Sequence, residues 1–233
     1  MMAFLRKAMP FLYGKDHPPF TRAGDSLRSY SRKGIEIDQL VIHESVTRTA
    51  ADAVKVLKRR KLGVHYCIDR DGTISHHAPV AKATAHGGAG HNRRSIGIEV
   101  INPYYPKYAK GADKVGAVWA HKKEYVLPTD AQLRSLHKLV CWLVVKWDIP
   151  VTFPGVQSDH FIWGRIIEHN TPGVMAHHRW AHADGLFCEH YLLCRLSGAD
   201  HEYALGLTMD AVASKRRTTQ FHEDADEPPE NIA

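Results

Sequence analysis

A chain of 233 residues with a formal charge of +6, 44% hydrophobic and 24% charged, fits one globular domain with extensions, or at most two small ones, and excludes a chain disordered throughout. Four cysteines, at 67, 141, 188 and 194, are too few and too unevenly spaced for a disulfide scaffold, and the longest apolar run, Leu139–Val145, is far too short to span a membrane. Glu223–Ala233 hold five acids and no base, which leaves the remainder at +11 against the whole-chain +6; that charge suits a polyanion (nucleic acid, an anionic membrane or an acidic wall polymer) or serves solubility alone.

The first residues, MMAFLRKAMPFLYG, are broken by Arg6, Lys7 and Pro10 and no small-residue cleavage site follows, so they read as no signal peptide. Residues 1–34 read as an extension lying over the domain. Ile35–His43, with Leu40, Val41 and Ile42, suits a buried strand. Thr49–Lys61 places Ala50, Ala53, Val54 and Leu57 at helical spacing, with Thr49 as N-cap and Gly63 beyond the end. Val64–Ile68 and Ile74–His77 flank Arg70-Asp71-Gly72-Thr73, a hairpin signal. Ser95–Ile101 (SIGIEVI) is a third core strand, and residues 102–127 form a long loop. Thr129 and Gln132 make a capping box, from which Leu133, Leu136, Leu139, Val140, Leu143, Val144 and Trp147 line one helical face. After a loop over 148–172, Gly173–His178 reads as a short strand and Glu189–Leu196 as a short helix, and from 213 a charged tail reads as disordered. Strands and helices interleave, so the class is α/β, a single domain over 35–212.

Among 17 histidines, two end predicted strands. His43 lies at the C-terminal end of a buried strand, where open α/β sheets place their sites; Glu44 and Thr47 do not complete a helical H-E-x-x-H motif. Ala176-His177-His178-Arg179 closes another strand, and Cys188 follows. Two such histidines and a cysteine match a three-ligand zinc site with an open position. The alternative for each histidine is a satisfied polar residue at a strand end, and for Cys188 a small buried hydrophobe.

VIHES (41–45), GVHYCIDRDGTI (63–74) and TAHGGAGHNRRSIGIEVIN (84–102), in that order and spacing, resemble the zinc-dependent N-acetylmuramoyl-L-alanine amidases, the group shared by phage lysozyme-type amidases and peptidoglycan recognition proteins. The resemblance covers roughly residues 36–195. It implies a central mixed β-sheet flanked by helices, with a zinc groove above the sheet. It also implies His43 and His177 as the first two zinc ligands, with His178 as the adjacent alternative. Cys188 would be the third, a position that members fill with Asp or Cys, and Asp184 before Gly185 competes with it. Glu99 matches the carboxylate that works with the zinc-activated water. Its neighbours support that role: Ile96 and Ile98 point one way, Gly97 and Glu99 the other, and partial desolvation would raise the carboxyl toward a useful base. The alternative is a rim glutamate paired with Arg93 or Arg94. Val64 stands where phage-type members carry a catalytic tyrosine. His86 and Asn92 match substrate-binding residues of the groove, with Gly87-Gly88 allowing close approach.

The chain departs from the pattern around the third ligand. Members read Lys-x-Asp/Cys-Pro, and here the stretch is Leu186-Phe187-Cys188-Glu189; zinc alone, or Arg179, His178 or His182, would replace the lysine that stabilises the oxyanion. The implied activity is hydrolysis of the amide between N-acetylmuramic acid and the L-alanine of the stem peptide. The implied partners are bacterial peptidoglycan or muropeptides, acted on by a monomer with no nucleic acid and no membrane span. The implied setting is the host cytoplasm before release for a phage lysin (an endolysin causing bacteriolysis), or otherwise the cytoplasm. A non-catalytic wall-binding module of the same fold is the alternative. Gly24-Asp25-Ser26-Leu27 copies a short esterase motif, but no buried strand precedes it and no Asp-x-x-His follows. No helix-turn-helix, zinc-finger or RNA-stacking motif is present.

Overall fold

The computed structural model describes residues 17–24, 26–103, 109, 111–117, 123–154, 156–157, 160–161, 167–177 and 184–214. Strands β1 (Thr21–Arg22), β2 (Ser29–Ser31) and β3 (Gln39–Ser45) precede helix α1 (Ala50–Arg59). Next come β4 (Tyr66–Ile68), β5 (Ile74–His76), β6 (Lys82–Thr84) and the short α2 (Gly88–Asn92). Strands β7 (Ser95–Ile101), β8 (Lys114–Gly116) and β9 (Glu124–Val126) lead to α3 (Asp130–Lys146). The last are β10 (Val156–Gln157), β11 (His160–Phe161), β12 (Gly173–Ala176), α4 (Leu186–Leu196) and α5 (His201–Ser214).

Six strands form one mixed sheet in the order β1-β5-β4-β7-β3-β12, parallel throughout except for the β4–β5 hairpin. The two long interior strands, β3 and β7, are buried along their whole length. Side chains alternate across a strand, and the two faces differ. Leu40, Ile42, Ile96, Ile98 and Val174 pack with Leu133, Leu136 and Val140 of α3 and Phe187 and Tyr191 of α4 in the main core. Each fully buried Leu or Ile there contributes about 1.5–3 kcal/mol before entropy is counted. On the other face, Cys67 and Ile101 lie with Ala53 and its neighbours on α1, and Val41 and Met175 with Ile167. His43 and Glu99, paired across β3 and β7, stand on this thinner side.

Thr49 caps α1 by accepting from the Asp52 N–H, and Thr129 with Gln132 forms the reciprocal capping box of α3. The chain leaves α1 at Arg60 and turns through Lys61 at φ 57°, two residues before the expected glycine. Gly72 takes φ 84° in the β4–β5 turn, a conformation that glycine adopts without strain. Several features differ from the sequence reading. Strands β1 and β2 lie within the expected extension, and β1 pairs with β5 of the central sheet. The expected loop at 102–127 contains the β8–β9 hairpin. Helix α4 starts three residues earlier than expected, and α5 was not foreseen; its Tyr203 and Leu207 are exposed among buried Ala204 and Thr208, so its periodicity is weak. The expected tail beyond 214 lies outside the described residues. Among the described residues no helix is long and apolar enough to cross a membrane.

Candidate metal centre

Three chain segments meet at the C-terminal end of β3. His43 projects from that strand, 4% exposed. His177 follows directly on β12, whose Val174, Met175 and Ala176 pair with Leu40, Val41 and Ile42. Asp184 precedes α4. Its Oδ2 lies 3.2 Å from His43 Nδ1 and 2.9 Å from His177 Nδ1, and the His43 and His177 rings are 4.5 Å apart. Its Oδ1 accepts from the Glu44 backbone N–H.

Gly185 makes this turn possible. Its φ is 79°, and a Cβ there would come within 2.2 Å of the Ile42 carbonyl oxygen. Alanine at this position brings left-handed strain of about 1–3 kcal/mol and pushes the turn off β3. Gly185→Ala is therefore expected to lower the denaturation midpoint of the metal-free protein and to weaken metal binding, which urea titration and chelator competition would read.

Protons in the layer beneath His43 can be followed. The Ser95 hydroxyl donates to the His91 carbonyl at 2.7 Å, so it accepts from His86 Nε2–H at 3.1 Å. Burial, then the neighbouring His43, His65 and His177, hold the His86 pKa well below the usual range, so its ring is neutral. Its Nδ1 is thus an acceptor and takes the proton of His43 Nε2 at 3.1 Å. The other ring nitrogen of His43, Nδ1, faces Asp184 Oδ2. The tautomers follow from hydrogen-bond partners. Burial likewise lowers the pKa of His177. Burial raises the Asp184 pKa, but the hydrogen bonds with His177 and His43 outweigh it and hold the carboxyl far below the usual range. Two imidazole nitrogens and a carboxylate oxygen thus converge. A tetrahedral ion about 2.0–2.1 Å from each donor sets donor atoms about 3.3 Å apart, close to the separations seen here. A lone pair bound on one ring nitrogen, with the other nitrogen donating to a fixed acceptor, is how metal-ligating histidines are usually oriented.

Cys188 does not join the cluster. Its side chain is 0% exposed in the main core, beyond the opposite face of β3, and its backbone N–H donates to Glu44 Oε1 at 3.3 Å. Burial and the Glu44 carboxylate push its thiol pKa well up, against thiolate formation. Asp184, and not Cys188, lies against the two histidines, because the turn before α4 reaches them while the first turn of α4 faces the core. His86 and Asn92, expected as substrate-binding residues of the groove, are both buried. Both ring nitrogens of His86 are bonded beneath His43, where Gly97 lacks the Cβ that would meet the ring at 2.8 Å. Asn92, 7% exposed, turns its Oδ1 inward to accept from the N–H groups of His86 and Gly87. His178, Arg179 and His182 lie outside the described residues.

Two glutamates lie beside the cluster. Glu99, 8% exposed, is adjacent to His43 in register. Burial first, then the charges of Asp184 and Glu44, push its pKa well above the usual carboxylate range. Arg94 pairs instead with Asp38, and Arg93 lies over the Tyr30 ring, so neither neutralises it. Glu44, next to His43 on the opposite face, is held by hydrogen bonds from Tyr125 and Asn102. Sequence reasoning passed over Glu44 once the helical zinc motif failed. Its signal, an acid in register with Leu40 and Ile42 on the core side of β3, becomes informative only with its partners in place. Ser26 of the esterase-like motif bonds to His77 Nδ1 at 2.7 Å, but the strand before it, β1, is exposed.

Two imidazoles and a carboxylate, with an uncommitted carboxylate alongside, are the parts of a hydrolytic metal centre. The chain matches the family model described as N-acetylmuramoyl-L-alanine amidase over residues 33–190. It belongs to that family and is a peptidoglycan amidase, a hydrolase of the amide joining N-acetylmuramic acid to L-alanine. Among solved structures, the Staphylococcus aureus hydrolase AmiA in complex with its ligand is similar at 14% identity and TM-score 0.49, over 88% of this chain and 88% of that one. The Clostridium intestinale endolysin amidase LysCS is similar at 20% identity and TM-score 0.44, over 70% and 84%. The Drosophila peptidoglycan recognition protein SA is similar at 17% identity and TM-score 0.42, over 69% and 80%. No curated protein matches the chain.

Proposed function

We propose that His43, His177 and Asp184 hold a zinc ion and that Glu99 is the general base and acid of the amidase reaction. The observation that carries this reading is the convergence of two imidazole Nδ1 atoms on one oxygen of a partly buried carboxylate. When bound, zinc would supply Lewis-acid polarisation of the scissile carbonyl and lower the pKa of water toward about 7. The His86–Ser95 relay orients His43 through its Nε2. Glu99 takes a proton from the attacking water, holds it in its desolvated setting, and returns it to the leaving nitrogen of L-alanine.

With Asp184 as third ligand, the family lysine two residues before it falls on His182 rather than Leu186, and the following proline falls on Gly185. His182 is then the oxyanion-stabilising group. His182→Ala is expected to lower kcat about 100-fold with zinc content unchanged, read from muropeptide hydrolysis and metal analysis.

Metal analysis of the purified protein, together with chromatography of digested peptidoglycan, tests the whole reading. One zinc per chain, and new amino-terminal L-alanine lost on chelation, are the expected results. Wall binding with neither zinc nor cleavage would overturn the reading in favour of a non-catalytic module. Host-cytoplasmic storage before lysis, as for an endolysin, is the setting that we propose for this chemistry.

A further inference from the structure

Glu44 is the buried carboxylate that the proposed chemistry does not use. It follows His43 on β3, is 7% exposed, and turns to the core face, away from the cluster. Its Oε1 accepts from the Cys188 backbone N–H at 3.3 Å. Its Oε2 accepts from Asn102 Nδ2 at 3.3 Å and from the Tyr125 hydroxyl. Cys188 lies in the first turn of α4, where backbone N–H groups have no partner within the helix. The N-cap, Gly185, offers no side chain to satisfy them. Glu44, reaching from the sheet, supplies the missing acceptor where the helix dipole also favours negative charge. Its own backbone N–H donates to Asp184 Oδ1. One residue thus grips both sides of the turn, the aspartate ahead of Gly185 and the helix after it.

We infer that Glu44 is a positioning residue for Asp184, fixing α4 and the aspartate together so that Oδ2 faces the two imidazoles. The same carboxylate ties in the β8–β9 hairpin through Tyr125, so a segment distant in sequence shares the anchor. This rests on the reading of His43, His177 and Asp184 as zinc ligands.

Zinc affinity by chelator competition and the visible spectrum of the cobalt-loaded protein test it in Glu44→Met, Glu44→Gln, Glu44→Asp and Asp184→Ala. Glu44→Met fills the space and removes the acceptors; it is expected to weaken zinc binding by about 10–100-fold and to change the cobalt spectrum. Glu44→Gln keeps an acceptor for Cys188 and is expected to remain closer to wild type. Glu44→Asp keeps the charge on an arm too short to reach, and carries the test if Glu44→Met does not fold. Wild-type zinc affinity and cobalt spectrum in a folded Met or Asp variant, with binding lost in Asp184→Ala, would overturn the positioning role alone. Full zinc affinity in Asp184→Ala would overturn the ligand reading and the positioning role with it.

Discussion

Asp184→Ala is expected to release zinc and to reduce muropeptide cleavage by about 1,000-fold or more, the several kcal/mol that a metal centre supplies to the transition state. Cys188→Ala is expected to keep a full zinc complement and near-normal cleavage, at a packing cost of about 1 kcal/mol for a small truncation in the core. The contrast follows from geometry. The Asp184 carboxylate lies within 3.2 Å of both imidazole nitrogens, whereas the Cys188 thiol is sealed beyond the opposite face of β3. Metal content by atomic spectroscopy and cleavage by chromatography separate the two residues. Zinc lost from the cysteine variant and kept in the aspartate variant would reverse the assignment.

Glu99→Gln is expected to lower kcat by about 100- to 10,000-fold, the range for loss of a general base, while zinc content stays intact. The same substitution is expected to stabilise the metal-free fold at neutral and alkaline pH. Burial, followed by the charges of Asp184 and Glu44, raises the Glu99 pKa in the folded state, so the folded form binds its proton more tightly than the unfolded chain does. The ionised side chain therefore costs stability, and the cost grows as pH rises above the unfolded value of about 4.3. Glutamine never ionises, so the variant should melt higher than wild type at pH 8, with the gap closing toward pH 4. Wild-type activity should fall as the pH drops through the raised pKa, because only the ionised form accepts a proton. An equal or lower melting temperature for the metal-free variant at pH 8 would rule out an uncompensated charge at this position.

Much of the scaffold was legible because its signals are local. Alternation in SIGIEVI separates a core face from a reacting face, and β7 occupies the expected residues. The Thr129 capping box and the apolar spacing behind it define α3, and the turn at Gly72 defines the β4–β5 hairpin. The edges were less legible. Strands β1 and β2 are two and three residues long and partly exposed, so they carry no apolar period and exist only because β5 and β6 are there to pair with them. Helix α5 keeps exposed apolar residues next to buried ones, which blurs the pattern that would have announced it.

The sequence by itself placed two histidines at the ends of two strands and a glutamate between apolar neighbours on a third, since strand periodicity assigns those faces. Only the tertiary structure brings a carboxylate, that of Asp184, against the two imidazoles. Asp184 and Cys188 are four positions apart, and both are sound metal ligands; nothing local distinguishes them. The left-handed turn at Gly185, pressed against the Ile42 carbonyl, places the aspartate on one side of β3 and the cysteine on the other. The four cysteines follow the same logic, three of them fully buried and all four free thiols. The proton order through His43, His86 and Ser95 likewise depends on residues far apart in the chain, so it exists only once the strands have met.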